Sequence, residues 1–204
     1  MAAPRYDAST ALIVVDVQND FADPSGSLYV SGGETIVAPI AAEMAAAREA
    51  GATLVVTQDW HPAVTPHFST QGGTWPVHCV RDTWGAELHP SLPADADLVV
   101  RKGTTGADGY SAFTVADPVT RASSATGLAG YLDERSITGV VVVGLASDVC
   151  VAATAKDAAE AGFTTTVLWE LTKPVFPDAV ADVLEDLAHA DVTVITNDVV
   201  RGDV

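Results

Sequence analysis

Basic residues are scarce in this chain of 204 residues: ten lysines and arginines stand against 27 aspartates and glutamates, a formal net charge of −17. A surface this acidic repels phosphate backbones and anionic headgroups, which argues against nucleic acid and membranes as partners. Cysteine is scarcer still. Cys79 and Cys150 are the whole complement, too few for a disulfide framework, so a reducing cytoplasm is the expected compartment. Long apolar runs are absent too. Stretches such as 139–145 (GVVVVGL) fall far short of the roughly 20 residues that a membrane span needs. The opening MAAPRYDAST carries one Arg and no apolar core, unlike a secretory signal. Charged residues make up only 18% and hydrophobic residues 48%, which excludes intrinsic disorder. The length suits one domain over residues 1–204 with a core of its own.

What is present is an alternation. Residues 11–16 (ALIVVD) form a β-branched run ending in a carboxylate, the pattern of a strand buried on both faces. Residues 34–50 are mostly strong helix formers and stop at Gly51. Further strands are expected at 53–58, 97–102, 140–143, 164–168 and 192–196. Helices are expected at 127–135, 148–161 and 178–190. Strands alternating with helices predict an α/β fold: a doubly wound, mainly parallel sheet of six strands with helices on both faces. The segment 59–96 breaks the rhythm, and loops that long in a compact domain are usually functional.

In such a sheet, ligands bind beyond the carboxyl ends of the strands. Asp16 ends the first strand, Asp59 follows the second, Lys102 ends the third and Cys150 follows the fourth. Topology therefore gathers four reactive side chains into one crevice. Cys150, in GLASDVCVAA, stands where a strand gives way to a helix, and helix-start N–H groups favour a thiolate and can hold an oxyanion. A buried structural thiol is the competing reading. Asp16 beside Lys102 is the candidate base, against a purely structural ion pair.

The loop carries a second constellation. Asp59 and His61 are two apart, and His67 and His78 follow, so three of the chain's five histidines lie close behind a strand-end Asp. A carboxylate with two or three imidazoles suits Zn, Fe or Mn as a divalent ion. Phe21, Trp75 and Tyr110 fall in loops that ring the same crevice, and flat walls suit a flat ring.

Five stretches, IVVDVQNDF (13–21), TQDWHP…HFS (57–69), WPVHCV (75–80), RKG (101–103) with GYSAF (109–113), and GLASDVCV (144–151), are similar to the nicotinamidase branch of the isochorismatase-like cysteine hydrolases, in family order over nearly the whole chain. The resemblance implies a catalytic triad of Asp16, Lys102 and Cys150. It also implies oxyanion donors at the N–H groups of Ala146 and Cys150, with a cis peptide between Leu145 and Ala146. It puts the metal on Asp59, His61 and His78, with His67 matching a further ligand of some members, and Phe21 and Trp75 beside the substrate ring. The chain departs from the family pattern at Val149, where many members have His, at 173–176 (KPVF), and in a loop after Lys102 that is one residue longer. The implied activity is metal-dependent hydrolysis of nicotinamide to nicotinate and ammonia in NAD salvage, with pyrazinamide as a further substrate. Another small amide is the alternative, and a non-catalytic ligand-binding member is a third reading. Two histidines and a carboxylate also fit a non-haem iron oxygenase, but that reading gives Asp16, Lys102 and Cys150 no work. The sequence leaves assembly into a homo-oligomer open.

Overall fold

A computed structural model describes residues 5–106, 109–117, 120, 122–196 and 199–201. Two positions of the longer loop after Lys102, 107 and 108, lie outside the described residues. The strands are β1 (Thr10–Val15), β2 (Thr53–Asp59), β3 (Leu98–Lys102), β4 (Thr114–Ala116), β5 (Ser123–Ala125), β6 (Gly139–Leu145), β7 (Thr164–Lys173), β8 (Thr193–Thr196) and β9 (Val199–Arg201). The helices are α1 (Asn19–Ala22), α2 (Glu34–Glu49), α3 (Leu128–Asp133), α4 (Ala152–Glu160) and α5 (Val180–His189).

The main sheet has the order β3-β2-β1-β6-β7-β8-β9, and β4 and β5 make a separate two-stranded hairpin. The six expected strands pair in parallel. A short antiparallel strand, β9, adds a seventh at the β8 edge. From β1 the chain winds outwards through β2 to β3, then returns to β6 and winds the other way. The reversal lies between β1 and β6, and a sheet of this kind opens its ligand crevice at that point.

Period-two alternation divides the core. Leu12, Val14, Leu54, Val56, Val141 and Val143 pack under Ile36, Val37, Ile40, Met44 and Ala47 of α2. Ile13, Val15, Val55, Val140 and Val142 face the other way, under α3, α4 and α5. Each such Val, Leu or Ile buried contributes roughly 1.5–3 kcal/mol, so the strand ends grow from a rigid base. Gly144 lets β6 lie against β1 at the reversal: its φ is +114°, and a Cβ there would strike the carbonyl oxygen of Val15.

The crossover from β2 to β3 contains only 3₁₀ turns, Ser69–Gln71 and Trp84–Ala86. Bridges between His61 and Val80, Phe68 and Trp75, and Gln18 and Leu88 fold it over the strand ends. Strand β7 runs past the expected end at 168 to Lys173, because a bulge lets Gly144 and Leu145 pair with Thr172 and Lys173. Among the described residues no helix is long and apolar enough to cross a membrane.

Candidate active site

Sheet order and register line up the reactive groups. Asp59 and Lys102 are direct partners across β2 and β3. Asp16 follows β1, next to β2 on one side and β6 on the other. Lys102 Nζ donates to Asp16 Oδ2 at 2.6 Å and to the main-chain oxygen of Tyr110 at 3.0 Å. It also lies 3.1 Å from Asp59 Oδ1, an ion pair whose angle falls outside hydrogen-bond range. One fully buried ammonium thus serves two buried carboxylates. Asp16 has φ +48°, a left-handed conformation that Asp tolerates better than most side chains. Its Oδ1 accepts from Thr57 Oγ1 at 2.5 Å.

Burial raises the Asp16 carboxyl above its ordinary value, and although Lys102 opposes the shift, Asp59 adds to it. Burial pushes Asp59 the same way, but Lys102, His61 and His78 outweigh it and hold the carboxyl well below the usual range. Lys102 loses solvation too, yet Asp16 and Asp59 together keep its ammonium well above the ordinary lysine value.

Cys150 lies in a wide turn, Ser147–Val151, in which the Val151 N–H donates to Ala146 O at 3.0 Å. Turns of this π type concentrate at functional sites. The preceding Leu145–Ala146 peptide is cis, as the resemblance implies. Cys150 Sγ and carboxylate oxygens of Asp16 and Asp59 all lie within 4.8 Å of one another. A helix start favours a thiolate, but the surroundings of Cys150 act the other way. Burial pushes the Cys150 thiol well above its ordinary value and, against the pull of Lys102, the two carboxylates push it further. The helix-start N–H groups do not offset the loss of water and two neighbouring anions, so the resting group is a thiol.

The three loop histidines also meet. Nitrogens of His61, His67 and His78 lie within 4.8 Å of one another, and His61 stacks on His67 with ring centroids 4.6 Å apart. The Nε2 atoms of His61 and His78 each lie 3.7 Å from Asp59 Oδ2, too far for hydrogen bonds. His78 Nδ1 is 2.7 Å from Pro76 O, so Nδ1 carries a proton and Nε2 is the ring nitrogen turned toward Asp59. Both ring nitrogens of His61 are buried without a hydrogen-bond partner, a costly state that a cation would relieve. The donor set is three imidazoles and a carboxylate, and it fits a divalent metal ion.

One cavity serves both clusters. It holds about 380 Å³ of empty space, including its open mouth, and Asp59, His67, His78, Ala146 and Cys150 line it together. Phe21, Trp75 and Tyr110 form part of its wall; Phe21 lies 5.4 Å from His78, centroid to centroid. His61 stands behind His67 rather than in the lining. Every site residue expected from the sequence is therefore brought to one place.

Sequence reasoning missed the residues that hold this place together. Gln18 grips the backbone of Asp59, accepting from its N–H with Oε1 and donating to its carbonyl with Nε2, both at 2.8 Å. Asp20 accepts from the N–H of Cys79 at 2.7 Å and so anchors the chain beside His78. Gly103, with φ +68°, lies so close to the His61 ring that a Cβ would come within 2.5 Å of Nδ1. The polar run in DVQNDF was the one available signal: Gln18 and Asp20 are polar residues buried among apolar ones.

Residues 10–199 match the model of a known family, described as the isochorismatase domain. The chain is 43% identical over 183 residues to the nicotinamidase of Acinetobacter baylyi, covering 81% of each chain. Among solved structures it is similar to PnC1 of L. infantum in complex with nicotinate, with TM-score 0.87, 39% identity and 94% of each chain covered. The pyrazinamidase of Pyrococcus horikoshii in complex with zinc gives a TM-score of 0.81 at 34% identity, covering 92% of this chain and 99% of that one.

Proposed function

The chain belongs to the isochorismatase domain family, and on that premise we propose that it is a metal-dependent cysteine amidohydrolase that converts nicotinamide and water to nicotinate and ammonia. The observation that carries the reading is the shared cavity, which the Cys150 thiol faces together with His67 and His78, while Asp16 lies buried beside the thiol and His61 behind His67. The similar nicotinamidase and the nicotinate-bound neighbour support the choice of ring amide.

The chemistry follows from the row of strand ends. Cys150 rests as a thiol, and Asp16, raised above an ordinary carboxylate, is a stronger base than an exposed Asp. As Sγ attacks the carboxamide carbon, its proton passes to Asp16. The N–H groups of Ala146 and Cys150 receive the oxyanion. The C–N bond breaks as Asp16 returns the proton to the departing ammonia, leaving a thioester on Cys150. Asp16 then draws a proton from water, the hydroxyl adds to the thioester carbon, and nicotinate leaves as the thiol reforms. Lys102 stays charged throughout and keeps Asp16 ionised between proton transfers. Zn, Fe or Mn held by Asp59, His61, His78 and His67 supplies, when bound, a Lewis-acidic partner for the ring nitrogen.

Pyrazinamide also has a ring nitrogen meta to its carboxamide, so it is expected to be a second substrate. An oxygenase reading would leave the Cys150, Asp16 and Lys102 row without a role. Ammonia release from a panel of small amides, with metal analysis of the same sample, tests the proposal. Turnover of nicotinamide and pyrazinamide by a protein holding about one equivalent of divalent metal is expected. Turnover of aliphatic amides alone, or of ring amides with no metal bound, contradicts it.

A further inference from the structure

Trp75 lines the cavity and is held from two sides. Its Nε1–H donates to Tyr110 Oη at 2.9 Å. Against its ring stands Phe176, with centroids 6.2 Å apart and planes inclined by 37°. Phe176 itself is outside the cavity lining and 54% exposed, an unusual position for a large apolar ring whose neighbour is a binding-site wall.

The segment that presents Phe176 is fastened to the nucleophile turn. Asp148, two residues before Cys150, accepts from the N–H of Val175 with Oδ1 at 2.9 Å and from the N–H of Phe176 with Oδ2 at 2.6 Å. Hydrogen bonds to a carboxylate are stronger than neutral ones, and two to successive N–H groups fix the direction of the chain. Val175 is thereby set into the cavity wall, and Phe176 beside Trp75. A continuous path of contacts runs from the Cys150 turn through Asp148 and Phe176 to Trp75.

Resting on the ring-amide reading above, we propose that Phe176 is a specificity-determining residue: it braces the Trp75 wall and so limits the cavity to ring amides no bulkier than a single six-membered ring. Phe176 acts through Trp75 and touches no reacting atom. Nothing in the chemistry of the Cys150 row requires an aromatic ring at this exposed position, so its effect falls on substrate fit.

The test compares Phe176→Ala with Phe176→Tyr, using nicotinamide and quinoline-3-carboxamide, which adds a fused second ring. In Phe176→Ala the KM for nicotinamide rises by about 2- to 10-fold, the range set by loss of one aromatic pair, and by more than kcat falls. The preference for nicotinamide over the bicyclic amide shrinks by at least about threefold, on the same estimate. Phe176→Tyr retains wild-type values for both. Independently of turnover, the Trp75 indole N–H resonance, assigned by its loss in Trp75→Phe, exchanges faster with solvent in Phe176→Ala and not in Phe176→Tyr. An unchanged KM and preference, or unchanged indole exchange, overturns the proposal. A wild-type protein that releases no ammonia from any ring amide overturns the functional reading instead, and the indole measurement then decides the brace alone.

Discussion

Replacing Lys102 by Met removes the one ammonium that Asp16 and Asp59 share, at 2.6 and 3.1 Å, and leaves two carboxylates buried side by side. Breaking a buried ion pair from one side costs about 3–5 kcal/mol, because the remaining charge has neither water nor partner. Thr57 still donates to Asp16, and His61 and His78 still face Asp59, but the full charge that both carboxylates shared is gone. For a domain of this length each kcal/mol corresponds to about 2–4 °C in Tm, so the expected loss is about 6–20 °C. The deficit depends on pH. In Lys102→Met, burial and the neighbouring Asp59, no longer opposed by the ammonium, raise the folded-state Asp16 pKa further above that of the unfolded chain, so the folded state binds more protons. Stability of the variant then falls as pH rises through the folded value and recovers as pH drops toward the ordinary carboxylate range. Calorimetry of the chelator-stripped wild type and variant at pH 5 and pH 8 reads both effects. A Tm loss below about 2 °C, less than 1 kcal/mol on that conversion, or an equal loss at both pH values, refutes the claim that one lysine holds both carboxylates.

Cys150→Ala is expected to abolish turnover with the fold intact, and an alkylating agent reaches Cys150, which lines the cavity, before the fully buried Cys79; peptide mapping after partial inactivation checks the order. Asp16→Asn keeps the shape and removes the proton acceptor, so kcat falls by about 10²–10⁴-fold with little change in substrate affinity, measured by steady-state kinetics and equilibrium binding. Gly103→Ala drives a methyl into the His61 ring and is expected to weaken metal affinity by about 10–100-fold, as disruption of ligand-orienting neighbours does elsewhere; competition with a chelating dye measures it.

The strands were legible because a β-branched run such as ALIVVD, residues 11–16, has few other fates in a globular chain. The site was legible because the topology rule needs only the residues at strand ends, and Asp16, Asp59, Lys102 and Cys150 all stand there. What escaped has a common cause. Gln18, Asp20 and Thr57 act through hydrogen bonds to groups far along the chain, and no periodicity encodes such partners. Strands β4, β5 and β9 have three residues each, too short for alternation to register.

The central claim is that the histidine cluster recognises a ring nitrogen while Cys150 attacks the adjoining carboxamide. Benzamide has the same carboxamide and nearly the same ring, but presents C–H where nicotinamide presents a lone pair. A site built for a polar group rejects an analogue that lacks it far more strongly than an apolar pocket rejects a missing methylene. The direct measurement is kcat/KM for the two amides with the metal-loaded protein and with His61→Ala. A preference for nicotinamide of at least about 100-fold, set below that polar-recognition range, and its shrinkage in His61→Ala are predicted; equal turnover of both amides by the metal-loaded protein contradicts the account.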